Sequence, residues 1–136
     1  MGVRSDLDSN FEYEIIDEFL DHYNMMVDSM ETIIIDLSKP SMYNRSINEL
    51  FRIFHNIKSA SACLKIDKMS RLSAFVEETL EQIRTNHESV NDETVTWLLN
   101  ISDIYAAWKD DLKLNNELTH IKYSLLKLPD LEKQHK

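Results

Sequence analysis

Residues 47–64 read INELFRIFHNIKSASACL. Within them Leu50, Ile53, Ile57, Ala60 and Leu64 recur at steps of three and four, the spacing that lays apolar groups along one face of a helix. At about 100° per residue the stripe centres between Ile57 and Leu64, so His55 points to almost the opposite side. Phe51, Arg52, Lys58, Ser59 and Ala62 share or border that side. Most lone helical histidines are core or surface groups without special chemistry; phase removes the core alternative here. The neighbours are also unusual for a solvated face: Ser59 and Ala62 are small, and Phe51 is a large apolar edge one turn back. A bare patch of this kind suits close approach by a partner surface. Imidazole is a good nucleophile near neutral pH, and Lys58 stands where it could neutralise an anion held at the ring. A phosphoryl group, with about two negative charges at neutral pH, is such an anion.

The same periodicity runs outward in both directions. Upstream, Phe11, Ile15, Phe19, Tyr23, Met26, Met30, Ile33 and Leu37 predict a long helix, stopped by Ser38-Lys39-Pro40-Ser41 because proline cannot continue it. Ser46-Ile47-Asn48-Glu49 has the pattern of a capping box for the helix that carries His55, although that helix could begin a little earlier. Downstream, Asp67 is the expected N-cap of a helix bearing Met69, Leu72, Val76, Leu80 and Ile83. Asn91, Asp92 and Glu93 supply a cap and negative charge for a further helix with Val95, Leu98, Ile101, Tyr105, Trp108 and Leu112. Leu118, Ile121, Leu125 and Leu128 predict a shorter fifth helix that stops at Pro129.

Four long amphipathic helices with short connections pack most simply as an antiparallel four-helix bundle. The expected fold is therefore all-α, with the fifth, C-terminal helix added to the bundle. The expected organisation is a flexible N-terminus over residues 1–8, one helical domain over 9–128, and a tail or linker start over 129–136. Composition agrees with this. The chain has 136 residues, 43% of them hydrophobic, with one glycine and two prolines, too few for a fold rich in tight β-turns. The single cysteine, Cys63, excludes an internal disulfide and a cysteine-rich zinc site. The most apolar run, METIIIDL, is far shorter than the roughly 18 residues of a membrane span, and no hydrophobic signal core opens the chain, so a cytoplasmic location is expected. A net charge of −9 would repel nucleic acid and anionic lipid, which leaves protein partners or small molecules.

His55-Asn56-Ile57-Lys58-Ser59-Ala60-Ser61 resembles the signature of histidine phosphotransfer (HPt) domains: His, any residue, an aliphatic, Lys, Gly, then small residues. The resemblance extends over about residues 11 to 128 and is nearest to the N-terminal phosphotransfer domain of chemotaxis-type histidine kinases. It implies that His55 accepts a phosphoryl group and that Lys58 supports its charge. In the chemotaxis-type domains a glutamate on the next helix hydrogen-bonds the reactive ring, and Glu77 occupies that place here. A carboxylate on Nδ1–H would hold the tautomer that leaves Nε2 free to attack phosphorus. The implied partners are a histidine kinase catalytic domain and a response-regulator receiver domain, met on Phe51, Arg52, Ser59 and Ala62. No cofactor is expected on the chain itself, Mg²⁺ coming with the partner; the chain would be a phosphocarrier without an ATP site, either free-standing or part of a kinase.

Three positions depart from the family pattern. Ser59 replaces the glycine after the lysine, Ala74 stands where a second histidine is frequent, and Lys65 replaces the usual glycine after Leu64. The last would cost about 1 kcal/mol if that position is left-handed. Two other functions compete. A helical interaction module could keep the fold and docking face without carrying phosphate, with Ser59 as its motive. A di-iron bundle could use the Glu-x-x-His strings Glu117/His120 and Glu132/His135, but no acidic set interrupts the first four stripes, and His22 and His87 lack partners at ligand spacing.

Overall fold

In the computed structural model of the chain, the structure describes residues 2–131. Among the described residues there are five α-helices: α1 (Val3–Asn10), α2 (Tyr13–Asp36), α3 (Tyr43–Cys63), α4 (Asp67–Asn86) and α5 (Asp92–Leu114). Helices α2 to α5 form the four-helix bundle, and no strand occurs among the described residues. The stripes of the His55 helix and of the two helices after it, now α3, α4 and α5, line the core as expected. Leu50, Ile57, Met69, Val76, Leu80, Leu98, Ile101, Tyr105 and Trp108 are fully buried.

On α2 the seam lies slightly off the expected line. Ile16, Tyr23, Val27, Met30, Ile34 and Leu37 face inward, while Ile15 is 47% exposed and Met26 and Ile33 are only partly covered. The inward set keeps a seven-residue repeat, the seam of near-parallel helix packing, so the shorter steps through Ile15, Met26 and Ile33 follow its shoulder.

The helix that supplements the bundle is N-terminal. Residues 1–8 were expected to be flexible, yet Val3–Asn10 is helical because it has something to bind. Leu7 is buried, Asn115 Oδ1 accepts from the Ser5 N–H at 3.0 Å, and Asn115 Nδ2 donates to Ser5 Oγ at 2.8 Å. The chain's one glycine, Gly2, lies so close to this turn that a Cβ there would sit 2.1 Å from the Asn115 carbonyl oxygen.

The expected C-terminal helix over Leu118 to Leu128 does not form. This stretch is an extended strap with a single 3₁₀ turn, Tyr123–Leu126. Its backbone is claimed by side chains of α5. Trp108 Nε1 donates to the Thr119 carbonyl and Trp97 Nε1 to the Leu125 carbonyl, each at 2.9 Å. Asp111 Oδ2 accepts from the N–H and the hydroxyl of Thr119 at 2.7 and 2.6 Å. The strap has a space to fill: α4 and α5 make no close backbone approach, and aromatic rings bridge their seam, with Phe75 edge-on to Trp97 at 6.0 Å. Leu118 and Leu125 are buried by this arrangement, whereas Leu128 is exposed. The polar groups inside are satisfied. Tyr23 donates to the Tyr105 carbonyl at 2.6 Å and the Tyr105 and Ser73 hydroxyls are 2.6 Å apart; burial drives the Tyr105 phenol far above its ordinary pKa, the Ser73 hydrogen bond opposing only in part.

Helix termini also differ from expectation in detail. Because α3 starts at Tyr43, Ser46 is inside the helix and buried, and Glu49 pairs with Arg45 at 3.1 Å instead of closing a capping box. Asp67 is the first residue of α4, following Ile66 as N-cap, and there it meets the positive end of the helix. Asn91 does cap α5, accepting from the Thr94 N–H at 2.8 Å. At the end of α3, Lys65 is left-handed at φ 60°, and the N–H groups of Lys65 and Ile66 donate to the carbonyls of Ala62 and Ser61 at 3.1 and 2.8 Å. These two bonds close the helix in the arrangement that normally selects glycine.

Candidate functional site

α3 and α4 pack along the closest seam of the bundle, and the candidate site lies at its solvent edge. Ser61, fully buried on the α4 side of α3, is small enough for a close approach, and its hydroxyl is satisfied by the Ile57 carbonyl at 2.5 Å. His55 is carried outward by the phase that buries Phe54 and Ile57, and its side chain is 51% exposed. From α4, Glu77 turns into the seam at the flank of the Val76 and Leu80 stripe and is 13% exposed.

Glu77 bridges two residues of α3. Its Oε2 accepts a short hydrogen bond from Nδ1 of His55, and its Oε1 accepts from Nζ of Lys58 at 2.5 Å. A carboxylate can only accept, so this contact places the imidazole proton on Nδ1 and leaves the lone pair on Nε2. Among the described residues no hydrogen bond engages Nε2. Burial pushes the Glu77 pKa upward, but the hydrogen bonds from Lys58 and His55 together with the Lys58 ammonium charge outweigh it. The carboxyl is therefore held below its ordinary value and is ionised at neutral pH. Lys58, 33% exposed, spends its ammonium on fixing the second oxygen of Glu77.

Arg52, Ser59 and Ala62 are exposed on the His55 side of α3. Phe51 is different. It is half-buried, its ring is stacked near that of His55 with centroids 6.3 Å apart and planes 13° apart, and the Arg84 guanidinium carbon lies 3.8 Å from its ring centre. Sequence phase alone places Phe51 on the outward side of α3; in the structure the Arg84 guanidinium of α4 covers its ring. Ala74, where a second histidine was considered, is partly buried one turn before Glu77 and offers no polar group.

The di-iron alternative finds no support in this arrangement. Glu117 and His120 are exposed on the strap rather than facing a core, and Glu132 and His135 lie outside the described residues. Among the described residues no group of three or more His, Cys, Asp or Glu side chains is placed to hold a metal, and no helix is long and apolar enough to cross a membrane.

Fold and site together define a class: a helical bundle presenting a half-exposed imidazole held at Nδ1 by a glutamate of the neighbouring helix. Comparison with known proteins supplies the family. The Hpt domain model matches residues 14–122, most of the chain, and the chain belongs to the Hpt domain family. Two curated relatives carry the name chemotaxis protein CheA. That of Borreliella burgdorferi is 29% identical over 91 residues, covering 67% of this chain and 10% of its own length. That of Treponema pallidum is 26% identical over 107 residues, covering 79% of this chain and 13% of its own length. The chain thus spans about a tenth of the length of the relatives it matches. No solved structure matches it significantly. By family, this is a phosphotransfer domain of a two-component system.

Proposed function

We propose that the chain carries a phosphoryl group on His55, receiving it from a histidine kinase catalytic domain or from the phospho-aspartate of a receiver domain and passing it to a response regulator. One observation carries this reading: a half-exposed imidazole whose Nδ1–H is held by an ionised glutamate of the neighbouring helix. The Nε2 lone pair attacks phosphorus as the bond from phosphorus to the donor oxygen breaks, and the donor leaves as ADP or as a free aspartate carboxylate. The ring becomes cationic with its proton still on Nδ1, and Glu77 compensates that charge. Lys58 fixes the Glu77 carboxylate and keeps a cation beside the incoming phosphoryl group. Transfer is in-line, so orientation and charge compensation are the protein's contributions. Mg²⁺, which screens the phosphoryl oxygens in such transfers, enters with the partner.

The exposed residues Arg52, Ser59 and Ala62 form the surface for these partners, since they border the nucleophile and have no part in the core. Ser59 adds a hydroxymethyl group where the family pattern has a bare backbone, which adjusts which receivers fit. Incubation with a phosphorylated receiver domain, or with a chemotaxis-type kinase core and ATP, should yield an acid-labile phosphate on the chain. Its absence would leave only the interaction-module alternative, and its persistence in His55→Gln would show that His55 is not the acceptor.

A further inference from the structure

The contacts around His55 repeat one heptad along the α3–α4 seam. Glu77 sits between His55 and Lys58. Seven residues earlier on α3 and seven later on α4, Arg84 sits between Asn48 and Phe51. Its Nη1 donates to Asn48 Oδ1 at 3.1 Å, its Nε donates to Glu81 at 2.7 Å, and its guanidinium covers the Phe51 ring at 3.8 Å. Phe51 in turn lies nearly parallel to the imidazole of His55, 6.3 Å between centroids. A continuous chain of contacts therefore runs from Glu81 through Arg84 and Phe51 to the reactive ring.

The hydrogen bond to Glu77 fixes one atom of the imidazole, Nδ1, but a half-exposed ring can still pivot about that bond. A flat, parallel neighbour on the same helix removes this freedom. Phe51 can serve only if it is itself held, and Arg84, locked by two hydrogen-bonding partners, lies over it. A planar guanidinium does this where a lysine could not, because it stacks on the ring while its edges remain bonded.

We propose that Phe51 is a positioning residue that sets the plane of the His55 imidazole, and that Arg84 positions Phe51. This rests on His55 being the phosphoryl acceptor, and it removes Phe51 from the partner surface and makes it part of the support beneath the nucleophile. The predicted consequence is on reactivity toward any donor, independent of docking.

The test uses phosphoramidate, a small donor that needs no docking surface: its P–N bond breaks, ammonia leaves, and the Nε2–P bond forms. The full chain, Phe51→Leu, Phe51→Trp and Arg84→Gln are compared for the rate of this reaction and, by long-range ¹H–¹⁵N spectra, for the fraction of His55 with its proton on Nδ1. Phe51→Leu should slow the reaction roughly tenfold and lower the Nδ1–H fraction, with Phe51→Trp restoring both. Arg84→Gln should move both in the same direction by less, with Glu77 untouched. An unchanged tautomer fraction and rate in both Phe51→Leu and Arg84→Gln overturns the proposal, as does failure of Phe51→Trp to rescue. If the unaltered chain takes no phosphate at all, the acceptor reading of His55 is what fails; the tautomer fractions of the same samples still decide whether Phe51 and Arg84 orient the ring.

Discussion

Replacing Glu77 by glutamine tests the carboxylate that organises the site. The side chain is 13% exposed and accepts from two partners, Lys58 and His55, which are 33% and 51% exposed. Hydrogen bonds to a charged group contribute up to about 3 kcal/mol when sheltered, and solvent-exposed ion pairs less than about 1 kcal/mol. Solvent reaches both partners, and glutamine keeps the shape and one acceptor, so Glu77→Gln should destabilise the fold by about 1 kcal/mol. For a chain of this length that lowers the thermal midpoint by about 4 °C. The difference should depend on pH with a definite sign. The folded-state pKa of Glu77 lies below its unfolded value, so its contribution is present above the unfolded pKa and is lost as pH falls through the folded one. The gap between wild type and variant should therefore be full at neutral pH, begin to shrink as pH falls through the ordinary glutamate pKa of about 4.3, and close only below the lowered folded-state value. The effect on reactivity should be larger than that on stability. A glutamine amide can turn and donate to Nδ1, favouring the tautomer whose Nε2 carries the proton and has no lone pair to offer. Melts across the pH range, with His55 ¹⁵N shifts on the same samples, measure both effects. Equal stability at neutral pH together with an unchanged tautomer would refute this account of Glu77.

Three further perturbations probe other parts of the structure. Lys65→Gly relieves a left-handed residue at φ 60° and should stabilise the chain by about 1 kcal/mol, read as a raised thermal midpoint; a lowered midpoint would mean that the α3 terminus is not strained. Asp111→Ala removes the acceptor of the Thr119 N–H and hydroxyl, leaving only the Trp108 indole on its carbonyl, and should loosen the strap, shifting the fluorescence of Trp97 and Trp108 toward that of exposed indole, while retained emission would show that the strap is held without it. Ser59→Arg or Ala62→Trp should block transfer from a phosphorylated receiver but leave a cooperative melt, whereas unfolding would place these residues on a packed face.

Much of this architecture was legible in the sequence, and the exceptions share a cause. The stripes of α3, α4 and α5 were readable because each helix buries one face against neighbours of the same kind, and His55 followed from the phase of Ile53, Ile57 and Leu64. Glu77 was found by the family's spacing, which reflects the register of two antiparallel helices. What the pattern concealed depends on contacts between distant segments. Leu118 and Leu125 have helical spacing, but the indoles of Trp97 and Trp108 and the carboxylate of Asp111 claim the backbone between them. The first turn of the chain has little apolar content and gains its order from Leu7 and Asn115, the latter more than a hundred residues away. The role of Arg84 was invisible for the same reason: from its own helix it is a polar residue near a terminus, and only α3 supplies the Phe51 ring that it covers.

The central claim is that His55 accepts phosphate through Nε2 while Glu77 keeps the proton on Nδ1. Its most direct measurement is the position of the phosphoryl group in the phosphorylated, ¹⁵N-labelled chain. Two-bond and three-bond ¹H–¹⁵N couplings of His55, with the ³¹P signal of the same sample, identify the substituted nitrogen. The account predicts a single phosphorylated histidine at position 55, substituted at Nε2 and still protonated at Nδ1. Phosphate on Nδ1, or on His22, His87 or His120 in place of His55, would contradict it.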